Sequence, residues 1–575
     1  MSVSSTSTTS STGLTSITGS SAASSTGGTY GLSGSGIDVD ALVKKLMAGQ
    51  QAVDDALVQK QTVLQWQKAA YNTVTDDLNN FSTNTVFNYK LQATLSPNLV
   101  TSSNTSVATA TANAGAANIT HSLVVSQLAS GVNLTSSKSI SAANQTLGNL
   151  ETQMGLNANS FTFTISNGSS VSQPITIDPS SDSINDVVSA INNAGVNVTA
   201  SYDSTLDRVF LSTTNTGSST GISMSSTSTD ATSFINGLNL FPTTSPVTDS
   251  NGVVTTGGES TSGDTTTFTS TPGQDAQFTL DNATLTESKN AFTISGVTYN
   301  LTGVSPTTTS GSSATQTPTT ISVAADIDTE VANIQTFVNS YNTMLAEVNG
   351  DISQARYTDY PPLTSAQESA MSASDITLWN AKAQSGMLYN DDTLTSLVNT
   401  MRNAISSPIS GIAPTNVNGT SVTYNTAASI GITTGSYTEN GKLYLNKDTL
   451  RAALQANPNV LQQIFGTSGT STTVNGVTTT NTATQGIAGR LSDAIKNTTT
   501  QLTQIAGTTV NASYDTSSNL AKQIASYTTQ ITAAQATFST MQSQYYTQYN
   551  AMEVALQSLS AQSSWITSMT STTSS

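Results

Sequence analysis

Residues 543–569 read SQYYTQYNAMEVALQSLSAQSSWITSM, with apolar side chains at helical spacing and Glu553 as the only charge. A helix with one apolar stripe needs a surface to cover it. The stripe extends backwards through Leu520, Ile524, Tyr527, Ile531, Ala534, Phe538, Met541 and Tyr545, and forwards through Met552, Leu556 and Leu559; Gln548 is its polar exception. A matching stripe lies near the other end of the chain. Val39, Val43, Leu46, Val53, Leu57, Leu64, Tyr71, Val74, Leu78 and Phe81 fall on steps of three and four, with Gln50, Lys60 and Gln67 in the missing steps. This is a heptad-like seam, and Asp38 or Asp40 stands where a cap would start it. Two seams at the two ends predict a paired-helix stalk, with the middle of the chain inserted as separate heads.

Composition bounds the rest. The chain has 575 residues, enough for several domains, of which 9% are charged and 36% hydrophobic. Its net charge is -17, with no basic stripe to neutralise phosphates, which argues against nucleic acid. It has no cysteine, so disulfides and thiolate metal sites are excluded. No stretch approaches the roughly 18 apolar residues of a membrane span. Residues 1–36 are mostly Ser, Thr and Gly and read as a disordered leader without the pattern of a cleaved signal peptide.

The middle is β-rich. Residues 105–128 alternate on both sides of a turn at Gly115. Residues 160–212 give the order β-β-α-β-β, with Ile184, Val187, Val188 and Ile191 on one helix face. Residues 242–272, rich in Thr, Ser and Gly, read as a long surface loop. Strands return at 275–288 and 292–304. Helices follow from Ile327, over 374–384, 392–405 and 447–457, and Thr364 with Gln367 or Ser365 with Glu368 offers a capping box. Residues 130–305 are expected to fold alone.

Catalytic chemistry finds no footing. His121 is the one histidine and reads as a strand side chain with an ordinary partner. Asp54 and Asp55, Asp76 and Asp77, and Asp391 and Asp392 are adjacent pairs that do not face each other on a helix, and read as solvated surface. DPSSDSIND, from Asp178, has Ser183 and Ser189 where a calcium loop needs Gly and Glu, and reads as a capped turn into a helix. GLSGSGID, at 31–38, lacks the strand that a phosphate loop follows. No catalytic, cofactor or metal site is expected.

Several stretches resemble the bacterial flagellar filament-capping family, also called hook-associated protein 2. GLSGSGIDVDALVKKLM resembles its opening, ITHSLVVSQLAS its first head strand, and SINDVVSAINNAGVNVTASYD a repeat shared by hook-associated proteins and flagellins. GQDAQFTLDNATLTESKNAF and ISGVTYNL follow in order. The more specific set is IQTFVNSYNTMLAEV, PPLTSAQESAM, ITLWNAKAQSGMLYNDDTL, AASIGITTG, GKLYLNKDTLRAALQANPNVLQQIF and the closing QYNAMEVALQSLSAQSSW. The long leader and the 242–272 loop depart from the pattern.

The expected fold is an α+β multidomain chain: paired N- and C-terminal long helices, forming a coiled-coil-like leg and a helical bundle, with inserted β-rich head domains. Residues 1–36 would be an export leader; 37–81 plus 510–575 the leg; 82–104 plus 321–509 the bundle; 105–159 plus 273–320 a β-rich head; and 160–272 an outer head. The resemblance implies a non-enzymatic cap at the filament tip, in the form of a ring homo-oligomer, typically a pentamer. That cap promotes folding and insertion of exported flagellin and prevents its loss, and in some members adheres through exposed heads. Its partners would be flagellin, an export chaperone and the export apparatus, and the hook-filament junction proteins, with no nucleic acid and no membrane span. A surface adhesin and a flagellin-like filament subunit stand as alternatives.

The expected assembly residues are Val39, Val43, Leu46, Val53, Leu57, Leu64, Ile524, Ile531, Phe538, Met541, Tyr545, Met552, Leu556 and Leu559. Burial of a large apolar side chain contributes about 1.5–3 kcal/mol, and ordering costs roughly 1–2 kcal/mol per residue. From that balance, 39–81 and 515–569 are expected to be poorly ordered or variably packed in the isolated protein and helical in the assembled tip.

Overall fold

The computed structural model describes residues 38–142, 148–157, 159–249, 254–310, 313–475, 477–510 and 514–572. The expected leader at 1–36 and part of the 242–272 loop lie outside the described residues. The chain divides into two compact units. The first comprises the chain up to Asn80, Met344–Asn399 and Ile495 onward; the second comprises Phe81–Thr343 and Thr400–Ala494.

The first unit is helical. Its long members are the opening helix Val39–Phe81 and the closing helix Asn519–Thr572. Asp38 caps the opening helix, its Oδ1 accepting from the amide of Ala41 at 2.9 Å. Ser518 caps the closing helix by accepting from the amide of Ala521 at 3.3 Å. The short helix Ser365–Ala370 starts with the Thr364–Gln367 capping box. Both long helices are formed in the single chain, where the entropy balance predicts poor order or variable packing. The reason is that each covers part of the other, as described below.

The second unit holds the β-structure. One five-stranded antiparallel sheet runs, in order, Asn98–Ser102, Thr319–Ala325, Thr120–Gln127, Ala276–Leu280 and Ala283–Glu287. A three-stranded sheet of Ala291–Ile294, Val297–Leu301 and Ala108–Ala112 shares its core. Phe292 stacks between Phe278, with centroids 4.5 Å apart, and Tyr299, at 5.6 Å. The strands predicted around Gly115 are present, but they pair with different partners instead of with each other. His121 keeps an ordinary partner: its Nδ1 lies 2.6 Å from Asp281 Oδ2.

A second β core is built from residues 132–268. One of its sheets orders Gly258–Ser262, Thr265–Thr269, Ser223–Ser226, Phe161–Ser166 and Ile175–Ile177; the other orders Asn133–Thr135, Arg208–Thr213 and Val198–Asp203. The β-β-α-β-β order over 160–212 is present, with helix Ile184–Asn192 capped by Ser183 and Asp186. The 242–272 stretch is not a plain loop. Its residues 258–262 and 265–269 are sheet strands, and Phe268 is fully buried. Threonine is β-branched and favours strands, so polar composition concealed strand propensity anchored by one aromatic.

The expectation that 130–305 forms a closed piece also needs correction. Residues 276–280 and 297–301 pair with strands that lie before residue 130. The closed piece is 130–274, because Ser130 and Gln274 hydrogen-bond each other's backbone in both directions, at 2.8 and 3.0 Å. A fragment spanning 130–274 is expected to unfold in one cooperative transition, read by circular dichroism during heating, whereas 130–305 would carry two hairpins, 276–287 and 291–301, each with an edge stripped of its partner strand, and aggregate. Non-cooperative melting of 130–274 would refute the closed-piece assignment.

Candidate assembly interface

The site lies within the first unit, along the opening and closing helices. Cross-links fix their direction. Asp40 Oδ1 accepts from the Tyr546 hydroxyl at 3.0 Å, Gln61 Nε2 donates to Thr528 Oγ1 at 2.7 Å, and Lys68 Nζ lies 2.8 Å from Asp515 Oδ2. As one number rises the other falls, so the pair is antiparallel. Val39, Val43 and Met47 are buried against Phe538, Met541, Tyr545, Tyr546 and Tyr549. Three buried apolar side chains contribute about 1.5–3 kcal/mol each.

The buried stripe does not follow the seam read from sequence at every step. Val39 and Val43 are buried, but Met47 takes the place predicted for Leu46, which is exposed. Val53 is 51% exposed while Asp54 is only 7% exposed. A straight helix of 3.6 residues per turn, stepping by four from Val39, reaches 43 and 47; the heptad rule steps by three at Leu46 and rotates off the contact. Asp54 accepts from Gln50 Nε2 at 3.4 Å, so the reading of that acid as solvated surface is corrected. Leu57, Leu64, Ile524 and Ile531 are half-buried, as are Phe538, Met541 and Tyr545. Met47, Asp54, Tyr546 and Tyr549 were missed, although the simple four-residue step would have found Met47.

Past Asn550 the closing helix changes character. Met552, Val554, Leu556, Leu559 and Trp565 are all exposed, Leu559 at 60% and Trp565 at 62%. Residues 550–572 extend about 33 Å at 1.5 Å per residue. Met552, Leu556 and Leu559 are spaced to share one face, and Glu553 stands beside them as the only charge after Lys522.

A brace packs on the opening helix beside the closing one, where Pro361 and Pro362 line one cavity with Gln59, Leu64, Gln523 and Tyr527. Gln59 Nε2 donates to Pro362 O at 2.7 Å, and Trp379 Nε1 donates to Pro361 O at 2.7 Å. Tyr360 packs against Trp379 with centroids 4.8 Å apart, and the Lys382 ammonium lies 4.5 Å from the Tyr360 ring centre. Farther along, the Tyr71 hydroxyl donates to Asp391 Oδ2 at 2.6 Å, and Asp391 Oδ1 caps helix Asp392–Ser406 through Leu394 N. The Tyr71 hydroxyl is pushed well above its ordinary pKa by burial and then by that carboxylate. Asp391 therefore has a structural task, not an acid/base one.

Asp77 is also not solvated surface. Burial, then Asp76, raises its pKa; Glu347 and Asp351 are raised by burial and then by Asp77. No group of three or more acids, histidines or cysteines among the described residues is arranged to hold a metal. No helix among them is long and apolar enough to cross a membrane.

Lys68 and Asp515 form a nearly buried ion pair. Asp515 also accepts from the amides of Ser517 and Ser518 and from the Ser518 hydroxyl. Burial opposes ionisation, but the Lys68 and serine hydrogen bonds outweigh it and hold the carboxyl far below its usual range. A depressed carboxylate pKa adds stability above its unfolded value, near 4, which is lost as pH falls through the folded value.

Two relatives and two family models match. The description "Flagellar hook-associated protein 2 N-terminus" matches residues 35–131, and "Flagellar hook-associated protein 2 C-terminus" matches 273–561. A flagellar hook-associated protein 2 from Halalkalibacterium halodurans is 31% identical over 461 residues, covering 76% of this chain and 79% of that protein. One of the same name from Escherichia coli is 26% identical over 481 residues, covering 82% and 88%. Among solved structures, the flagellar cap protein FliD from Escherichia coli, in a three-domain form, gives a TM-score of 0.49 at 21% identity, covering 80% of this chain and 99% of that one.

Two outcomes test the geometry. Val43→Asp buries a charge against Met541 and Tyr545 and is expected to cost about 3 kcal/mol or more; amide exchange over 538–549 should accelerate while 161–166 stays protected. Lys68→Met leaves the nearly buried Asp515 carboxylate without its cation, with only the Ser517 and Ser518 hydrogen bonds, and is expected to cost about 3 kcal/mol at pH 7. The gap between wild type and Lys68→Met, measured by urea unfolding, should narrow as pH falls below about 4.

Proposed function

The chain belongs to the flagellar hook-associated protein 2 family, and we propose that it caps the flagellar filament at its distal tip. In this reading it is a secreted, non-enzymatic assembly factor. Copies form a ring, a pentamer, whose heads cover the growing end. Incoming flagellin folds and inserts beneath them and is not lost to the medium. Before that, the chain would meet an export chaperone and the export apparatus, and it would start its work next to the hook-filament junction proteins.

One observation supports this reading most directly. The closing helix is covered by the opening helix around 538–549, whereas Met552, Val554, Leu556, Leu559 and Trp565 beyond it are exposed. A helix of that length with Met552, Leu556 and Leu559 on one face has an apolar surface left for a partner in an assembly. Its near absence of charge matters too. Ion pairs fix register, so a face with Glu553 alone can rest on successive, similar apolar sites. A cap that advances as each flagellin is added needs such contacts. The exposed face would therefore lie against flagellin or a neighbouring subunit.

The test is a deletion strain complemented with variants. Deletion is expected to abolish long filaments while flagellin accumulates in the medium, scored by electron microscopy and immunoblotting. Complementation with Leu556→Asp and Leu559→Asp together should leave the heads folded, by circular dichroism of the purified chain, yet fail to restore filaments. Full-length filaments on the deletion strain would end the capping proposal.

A further inference from the structure

Glu330 sits in the first turn of helix Ile327–Ser353 and is only 1% exposed. Neither of its carboxylate oxygens has a hydrogen-bond partner. Buried charged groups are otherwise paired, so an isolated carboxylate here requires an explanation. Its surroundings are specific. The strand Thr319–Ala325 passes into this helix through a single residue, Asp326, whose amide donates to Pro97 O at 3.0 Å. Pro97 precedes the strand Asn98–Ser102, which pairs with Thr319–Ala325. The two strands that cross between sheet and helices thus run side by side, and Glu330 lies one helical turn beyond that crossing.

The elements packed on this turn leave the acid without a cation. On its own helix, Asp326 is a like charge one turn back, engaged with the Thr329 amide and hydroxyl at 3.0 and 2.8 Å. From residues 89–95, the Tyr89 hydroxyl donates to Asn333 O, Asn333 Nδ2 donates to Thr94 O at 2.8 Å, and Lys90 is exposed. From helix Lys447–Ala456, Arg451 is bonded to Asp328, while Lys447 and Asp448 face solvent. The segment Gln462–Gly466 brings Phe465 against Tyr89 and Phe337 and no charge. Burial first, and Asp326 second, push the Glu330 carboxyl up to about 7. The helix N-terminus favours a carboxylate, but it is outweighed.

We propose that Glu330 is a proton-linked latch on the sheet-to-helix crossing: neutral, it seats the first turn of helix Ile327–Ser353 under residues 89–97, and ionised, it releases that turn. The direction follows from the balance of protons. The closed turn holds a proton that the open turn gives up near the ordinary glutamate value. Closure is therefore strongest at pH below about 4.5 and weakens as pH rises towards 7, above which it levels off. This inference rests on the fold alone, so it stands or falls independently of the capping proposal.

The test uses the full chain and amide exchange by mass spectrometry over 326–334, corrected for the intrinsic rate at each pH. Protection is expected to fall roughly fiftyfold between pH 5 and pH 8, with most of the change below pH 7. The strand Phe161–Ser166 serves as a reference and should not follow. Glu330→Gln and Glu330→Met are neutral at every pH and should both flatten the profile. In wild type, infrared difference spectra should show a protonated carboxyl stretch that disappears over the same range and is missing from both variants. If both variants keep the wild-type slope, if wild-type protection is flat, or if no carboxyl stretch titrates, the latch is overturned.

Discussion

The antiparallel contact between Val39, Val43 and Met47 and the tyrosine-rich middle of the closing helix ties the two ends of the chain together. Everything inserted between them must leave the opening helix and return to the closing one. The chain meets this constraint by nesting. Within the second unit, strand Asn98–Ser102 and strand Thr319–Ala325 lie paired, so the head chain departs and comes back through neighbouring strands. Deeper in, Ser130 and Gln274 repeat the arrangement for the inner piece. Neighbouring ends are what allow a folded module to be inserted without disturbing its host.

The family comparison meets the same boundary from another direction. The two family models end at 131 and resume at 273. The unmatched interval is the piece whose ends bond each other, and it has its own core of Phe161, Phe163, Phe234 and Phe268. A module with a private core and a small junction, Ser130 with Gln274 plus the bonds of Thr216 and Ser218 to Ser288 and Asp275, can change in sequence at little cost to the sheet that carries it, because few contacts cross the junction. The host sheet lacks that freedom: Phe278 packs among strands contributed by both sides of the insertion.

Charge is used sparingly and locally. Lys68 with Asp515 fixes the start of the closing helix, and Arg490 spends its donors on the carbonyls of Thr482, Ala483, Ser407 and Pro408. Arg451 pairs with Asp328, and Arg356 bonds the carbonyls of Ala383 and Ser385. Glu330 is the exception, a buried acid without a partner.

Much was determined by the sequence itself. Apolar periodicity placed both terminal helices, since a 3.6-residue repeat over forty residues has few other solutions. Capping candidates narrowed two helix starts to Asp38 or Asp40 and to Thr364 or Ser365, because local hydrogen bonds need only local sequence. Alternation placed the strands of 160–212, and ordered motifs identified the family. What remained depended on contacts between distant residues. Which strands pair, and so where the inserted piece closes, is set by long-range register, to which alternation is blind: 108–112 and 120–127 are adjacent in sequence yet join different sheets. Burial of Met47 over Leu46 and of Asp54 over Val53 depends on the angle at which two helices meet. The strands at 258–269 are held by Phe268 and by neighbours some forty residues away, a stabilisation that composition cannot carry. Only the tertiary structure could isolate Glu330, because a carboxylate's partners, or their absence, come from every element that packs around it.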